Sequence, residues 1–143
     1  MSIAMFKTEH LSMIKPLGNI NLFAPEFKGA LLEDNTEAFT IFDGDKVISI
    51  LGIRVIWGGL GEVFTIMCDD IRDHGKALYE GCILSLPTMF KALKLRRLQA
   101  TVIVGFDKGI KFIENLGFKR DGVMRKWTPD GKDVYLYSIV TED

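Results

Sequence analysis

The chain has 143 residues, 48% of them hydrophobic, which suits one domain with a sizeable core. Its formal net charge of -1 supplies no general field for nucleic acid, so no nucleic-acid partner is expected. Two cysteines, Cys68 and Cys82, belong to no C-x-x-C pair and stand near no histidine cluster, which excludes a zinc site and reads as two buried free thiols.

The opening MSIAMFKTEH lacks the charged start and apolar stretch of a signal peptide, so a cytoplasmic location is expected. The most apolar stretch, residues 47–57, carries Arg54 and is too short to cross a bilayer. Residues 2–6 predict a short strand, and roughly helical apolar spacing predicts short helices around residues 11–14 and 25–32. AFTIF, the turn Asp43-Gly44-Asp45 and VISILGIRVIW predict a β-hairpin. Gly58-Gly59 makes a second turn and GEVFTIM a further strand up to Cys68, so three adjacent antiparallel strands follow.

Asp69 and Asp70 then place carboxylates where a helix start favours them. Residues 75–95 predict a long helix whose apolar face includes Leu78, Cys82, Leu86, Met89, Phe90 and Leu93. Pro87 inside it predicts a kink or division near Ser85, and Arg96 and Arg97 suit its negative end. RLQATVIV is the next strand, residues 108–115 a short helix closed by Gly117, and VMRKW with VYLYSIV a closing hairpin around Pro129-Asp130-Gly131. Strand, long helix and strand in series require a crossover that makes the two strands parallel. The expected class is mixed α/β (α+β), one domain over residues 1–143, with a parallel pair inside an otherwise antiparallel sheet.

The segment TIMCDDIRDHGKALYE carries the chemistry. Arg72, Gly75 and Ala77 are spaced as [Q/R]-x-x-G-x-[G/A] where a strand runs into a helix. Small residues let the backbone approach a ligand, and unpaired N–H groups at a helix start point at an anion. A pyrophosphate fits that turn, with Arg72 and Lys76 adding positive charge; an ordinary helix start with solvated charges is the alternative.

From about residue 38 to residue 140 the order and spacing of elements resembles the GNAT acetyltransferases. The matching parts are the hairpin, the strand, the turn Arg72-Asp73-His74-Gly75-Lys76-Ala77, the long helix, the strand over residues 98–104, and a short helix ending in Glu114-Asn115-Leu116-Gly117-Phe118. The resemblance implies a GNAT-like sheet with helices on both faces, whose parallel pair splays to admit acetyl-CoA. Ile66, Met67 and Cys68 would then line the pantetheine arm, and the turn from Arg72 through Asp73, His74, Gly75 and Lys76 to Ala77 would hold the pyrophosphate. It also implies direct acetyl transfer to a primary amine of a small molecule or protein, which agrees with the absence of a G-x-S-x-G nucleophile.

Two positions depart from the family. Counting back from Phe118, Phe106 and Ile113 occupy the places where family members often carry Asn and Tyr. Ile113 has no proton for a leaving thiolate, and Phe106 packs in the slot, against the adenine side of the ligand, or in the core. Glu62 lies near the start of the strand before the turn, where several family members place a general base; a solvated surface glutamate is the alternative. Tyr135 and Tyr137 alternate with Leu136 and face one side, presenting hydroxyls to substrate or packing with them satisfied. His74 is expected to meet cofactor or solvent rather than the amine.

The segments Gly-Phe-Asp-Lys-Gly-Ile-Lys-Phe and Arg-Asp-Gly-Val-Met-Arg-Lys-Trp also resemble a branch of small GNAT-like proteins of tailed phages and prophages. That branch implies a second reading, a binding or virion-associated module with weak or no catalysis. Under it a virion or host protein is a partner besides the acyl-CoA and the amine; the oligomeric state is open, with a homodimer among the alternatives.

Overall fold

The computed structural model describes residues 1–16 and 35–141; the helix expected over residues 25–32 lies outside them. The elements are β1 (Ser2–Met5), α1 (His10–Met13), β2 (Thr36–Asp43), β3 (Lys46–Trp57), β4 (Leu60–Met67), a 3-10 turn (Ile71–His74), α2 (Gly75–Ala92), β5 (Arg97–Ile103), α3 (Asp107–Asn115), β6 (Lys119–Met124) and β7 (Val134–Val140). The strands form a seven-stranded sheet in the order β1-β2-β3-β4-β5-β7-β6. All neighbours are antiparallel except β4 and β5. The punctuation read from the sequence is in place: Gly44 turns the β2–β3 tip at φ +62° and Gly117 closes α3 at φ +97°, left-handed positions that favour glycine.

Strand alternation sends the helices to opposite faces. On β2, Thr40 meets His10 of α1, its hydroxyl 2.7 Å from Nδ1, while the next residue, Ile41, packs on the α2 backbone at Gly81. On β7, Tyr137 turns to α3 and donates its hydroxyl to Glu114 at 2.7 Å. Tyr79 of α2 packs edge-on to Phe112 of α3, so α2 and α3 lie side by side on one face and α1 covers the other. The core between sheet and α2 is apolar, with Ile41, Leu51, Ile53, Leu78, Cys82, Leu86 and Leu98 all buried.

Three expectations need correction. First, α2 runs through Pro87 without dividing and ends at Ala92. Pro87 and Ile83, whose carbonyl loses its donor, are both exposed, so water reaches the freed group. Second, Arg96 and Arg97 do not end the helix. Lys94 turns out of it at φ +53°, Arg96 reaches the Gly58 carbonyl at 3.1 Å and Arg97 opens β5. Third, the closing hairpin starts earlier, because β6 covers Lys119–Met124 and residues 125–127 belong to the connection. The charges of Lys119, Arg120 and Asp121 hid a strand whose outer edge is the open edge of the sheet, where charged side chains are common.

The contact of α2 with β2 leaves no room for a side chain at Gly81. A Cβ there would stand 2.8 Å from Ile41 Cδ1 and 2.9 Å from Cγ2. Gly81→Val is expected to destabilise the fold by about 2 kcal/mol through overpacking, seen in thermal unfolding as a Tm roughly 5–10 °C lower.

Candidate active site

The parallel pair is short. β4 and β5 pair only through Leu60 with Arg97, Gly61 with Leu98 and Glu62 with Gln99. Past that rung residues 63–67 stay bonded to β3 and residues 100–103 to β7, and among the described residues no strand pairs with the inner edges of residues 63–65 and 100–103. At the far end Pro16 bridges Cys68 and the Asp69 N–H donates to the Lys15 carbonyl at 2.7 Å, so the pantetheine place expected for Cys68 is taken there by the chain itself. The gap has two differently furnished sides. Leu98 faces α2 and α3, so Gln99 and its partner Glu62 point to the α1 face. Thr101 and Ile103, and Phe64 and Ile66 across the gap, follow them; Ala100 and Val102 face the two longer helices.

Glu62 is half-buried at the root of the gap. Burial pushes its carboxyl above the usual range, partly offset by a hydrogen bond from Gln99 and the charge of Arg54. Arg97 Nε donates to Gln99 Oε1 at 3.1 Å, which leaves the Gln99 amide NH2 as the end that meets Glu62. Arg97 also reaches Asp121 at 2.7 Å, and Ser138 donates to the same carboxylate oxygen at 2.7 Å. This row is absent from the sequence reading, because only the β4–β5–β7–β6 register brings residues 62, 99, 138 and 121 together.

Past the far end of β4 the chain turns through residues 68–74 into α2. Among the described residues no side chain caps α2. The 3-10 turn over Ile71–His74 runs straight into Gly75 and serves its leading amide, and the following first-turn amides have no intrahelical acceptor. Gly75 is right-handed helical, φ -57° and ψ -39°, so its glycine is not needed for the backbone angle. A Cβ placed on it meets nothing within 4 Å among the described residues. Arg72, Asp73, Gly75 and Lys76 are exposed and Ala77 is buried beneath them. Ile66 and Cys68 are buried and Met67 is half-buried.

The His74 side chain is committed elsewhere. Its Nδ1 lies 2.8 Å from Asp43 at the end of β2, and its Nε2 lies 3.4 Å from Asp70. Lys46 holds both oxygens of Asp70 at 2.7 and 2.6 Å. Hydrogen bonds from Lys46, then Cys68, with His74 adding to them, keep the Asp70 carboxyl well below the usual carboxylate range. The turn therefore offers an anion backbone amides, Arg72 and Lys76, rather than the imidazole.

Near the mouth of the gap Phe106 is exposed, its ring lying over Gly109 in the first turn of α3, so it is not a core residue. Ile113 is buried in the apolar core. The Tyr137 ring is fully buried and its hydroxyl receives the Arg120 guanidinium at 2.9 and 3.0 Å. That hydroxyl is spent on anchoring α3. An apolar recess of about 270 Å³ lies among Cys82, Leu86, Phe90, Leu98, Leu116 and Ile139.

The fold that carries this gap superposes on those of solved acetyltransferases. The ribosomal-protein-S5-alanine acetyltransferase of Vibrio fischeri superposes with a TM-score of 0.72 over 99% of this chain and 93% of its own, at 22% sequence identity. A spermidine N-acetyltransferase variant of Vibrio cholerae gives 0.75 over 98% and 95%, at 15% identity. A GNAT-family acetyltransferase of Bacillus anthracis gives 0.74 over 99% and 95%, at 18% identity. The chain has the GNAT fold. No protein-family model and no curated protein matches the sequence itself. The two faces of the gap have distinct neighbours: helices α2 and α3 on one, Glu62 with its polar row on the other. Among the described residues no three His, Cys, Asp or Glu side chains are grouped to hold a metal ion, and no helix is long and apolar enough to cross a membrane.

Proposed function

We propose that the chain is an acetyl-CoA-dependent N-acetyltransferase that passes acetyl directly to a primary amine. The observation that carries this reading is the coincidence of an open inner strand edge with a helix start whose Gly75 is empty on its ligand side. The residues fit the coenzyme: first-turn amides with Arg72 and Lys76 suit a diphosphate, and the inward-facing backbone groups of Val63 and Thr65 suit the amides of a pantetheine arm, whereas those of Ile66 and Cys68 are turned to β3. Phe106, exposed at the mouth, offers a ring to the adenine side. The bound coenzyme supplies an acetyl thioester as the electrophile.

The protein's part is positioning and proton handling. The α1 face is the side from which an amine reaches the gap, and Glu62 stands there at its root. Its raised pKa brings the carboxylate closer to the basicity needed to take a proton from the attacking nitrogen. Gln99 and Arg97 hold that carboxylate in one orientation. Structural neighbours named for spermidine and for the alanine of a ribosomal protein share this fold, in agreement with an amine acceptor on either a small molecule or a protein.

Buried Ile113 favours a second reading, a coenzyme-binding or virion-associated module without turnover, because no hydroxyl stands where the family protonates its leaving thiolate. Calorimetric titration with acetyl-CoA, followed by thiol release over a panel of amines, separates the two. Binding with release supports the enzyme and binding without release the module. No binding at all sinks both.

A further inference from the structure

The cluster behind the anion turn has a charge balance that depends on one proton. His74 touches two carboxylates, one through each ring nitrogen: Asp43 at 2.8 Å and Asp70 at 3.4 Å. A neutral imidazole has a single N–H and meets one of them with a lone pair; only the imidazolium donates to both. Lys46 is the other cation, bound to Asp70. With His74 protonated, two cations face two carboxylates. With it neutral, these four contacting side chains carry one net negative charge beside Gly75 in the chain, to which Asp69 adds.

We propose that protonated His74 is a positioning residue for the coenzyme, clamping the start of α2 to the β2–β3 hairpin and cancelling the negative charge behind the anion turn, so that proton and coenzyme bind cooperatively. The inference rests on the coenzyme reading given above. The clamp joins three separate pieces of chain. Asp43 comes from β2, Lys46 from β3, and Asp70 from the turn after β4, where the Cys68 thiol also bonds it. Asp69 adds its charge to Lys46, while Arg72, Asp73 and Lys76 flank the ring in the chain and are exposed. The hydrogen bond to Asp43, then that to Asp70, raises the His74 pKa above its ordinary value, so the imidazolium persists to higher pH than in an isolated histidine. The sign follows. The stability the clamp adds is complete below the unfolded value near 6.5 and is lost as pH rises through the raised folded value.

The test compares coenzyme A affinity of the wild type and His74→Gln by calorimetry between about pH 6 and about pH 9. Ionisation of the coenzyme's own phosphate and thiol is common to both proteins and cancels in the ratio. The wild type is expected to bind about tenfold tighter than the variant at the acid end, the advantage vanishing as His74 titrates. Linkage is reciprocal, so saturation with coenzyme must raise the His74 pKa, followed by NMR at the imidazole Cε1–H, by about one. Asp43→Asn is expected to move the step to lower pH. A wild-type to variant ratio constant across the range, or a His74 pKa unmoved by coenzyme, overturns the proposal while leaving the coenzyme reading intact. Absence of binding by the wild type at every pH removes that reading and this proposal together.

Discussion

Gly75→Glu is expected to abolish coenzyme binding without harming the fold. The backbone at residue 75 is right-handed helical, so any side chain is tolerated there. Nothing lies within 4 Å of the added Cβ, so the new carboxylate enters open space and not the core. A glutamate in the first turn even complements the helix dipole. What it fills is the space that a diphosphate needs, with the wrong charge. Affinity for acetyl-CoA should fall more than about 100-fold, equivalent to roughly 2.7 kcal/mol, while thermal unfolding shows Tm unchanged or slightly higher. Gly75→Ala serves as the control. It adds a methyl group at an angle alanine prefers, so it should stabilise the helix by about 0.5–1 kcal/mol and keep most of the affinity. Undiminished binding by the glutamate variant would move the coenzyme away from this turn.

Glu62→Gln should lower kcat by about 100-fold or more, the range for loss of a general base, with acetyl-CoA affinity unchanged because residue 62 faces away from α2 and α3. The amide keeps an acceptor for the Gln99 NH2, so the polar row survives. Burial raises the Glu62 pKa, so the wild-type rate should climb with pH along a limb lying above the ordinary carboxylate range, and the variant should lack that limb. Stability runs the opposite way. A carboxyl whose folded pKa is raised binds its proton more tightly in the folded state, so stability falls as pH rises through that pKa. Near neutral pH the variant should unfold at the same temperature as the wild type or above it. A variant with full kcat would reduce Glu62 to a partly buried strand residue.

The architecture was legible because its signals are local. Asp43-Gly44-Asp45, Gly58-Gly59 and Gly117 mark their turns by residue type alone, and β-branched runs between them leave little choice of strand. The crossover from β4 through α2 to β5 then fixes a parallel pair by handedness and length. Pro87 does not divide the helix because residues 83 and 87 face water, which only the packing of α2 reveals. β6 was misplaced because Lys119-Arg120-Asp121 reads as a loop until its position at the sheet edge is known. The candidate site divides the same way. Gly75 and the turn around it follow a contiguous pattern, whereas the support of Glu62 by Gln99, the tie of Arg97 to Asp121 and the grip of Asp43 on His74 join residues 24 or more positions apart. Register alone brings them together, and register is set by the whole sheet.

Cys68 and Cys82 bear on how the proposed acetyl transfer can be assayed. Both thiols are buried, and burial lifts them to about 11 and about 12. Near neutral pH almost none of either is thiolate, the form that attacks disulfide dyes. The folded protein should therefore be silent toward such reagents, so colour that develops during the reaction reports the coenzyme product alone. The same inertness makes a sudden rise of two reactive sulfurs per chain a direct count of molecules that have lost their fold.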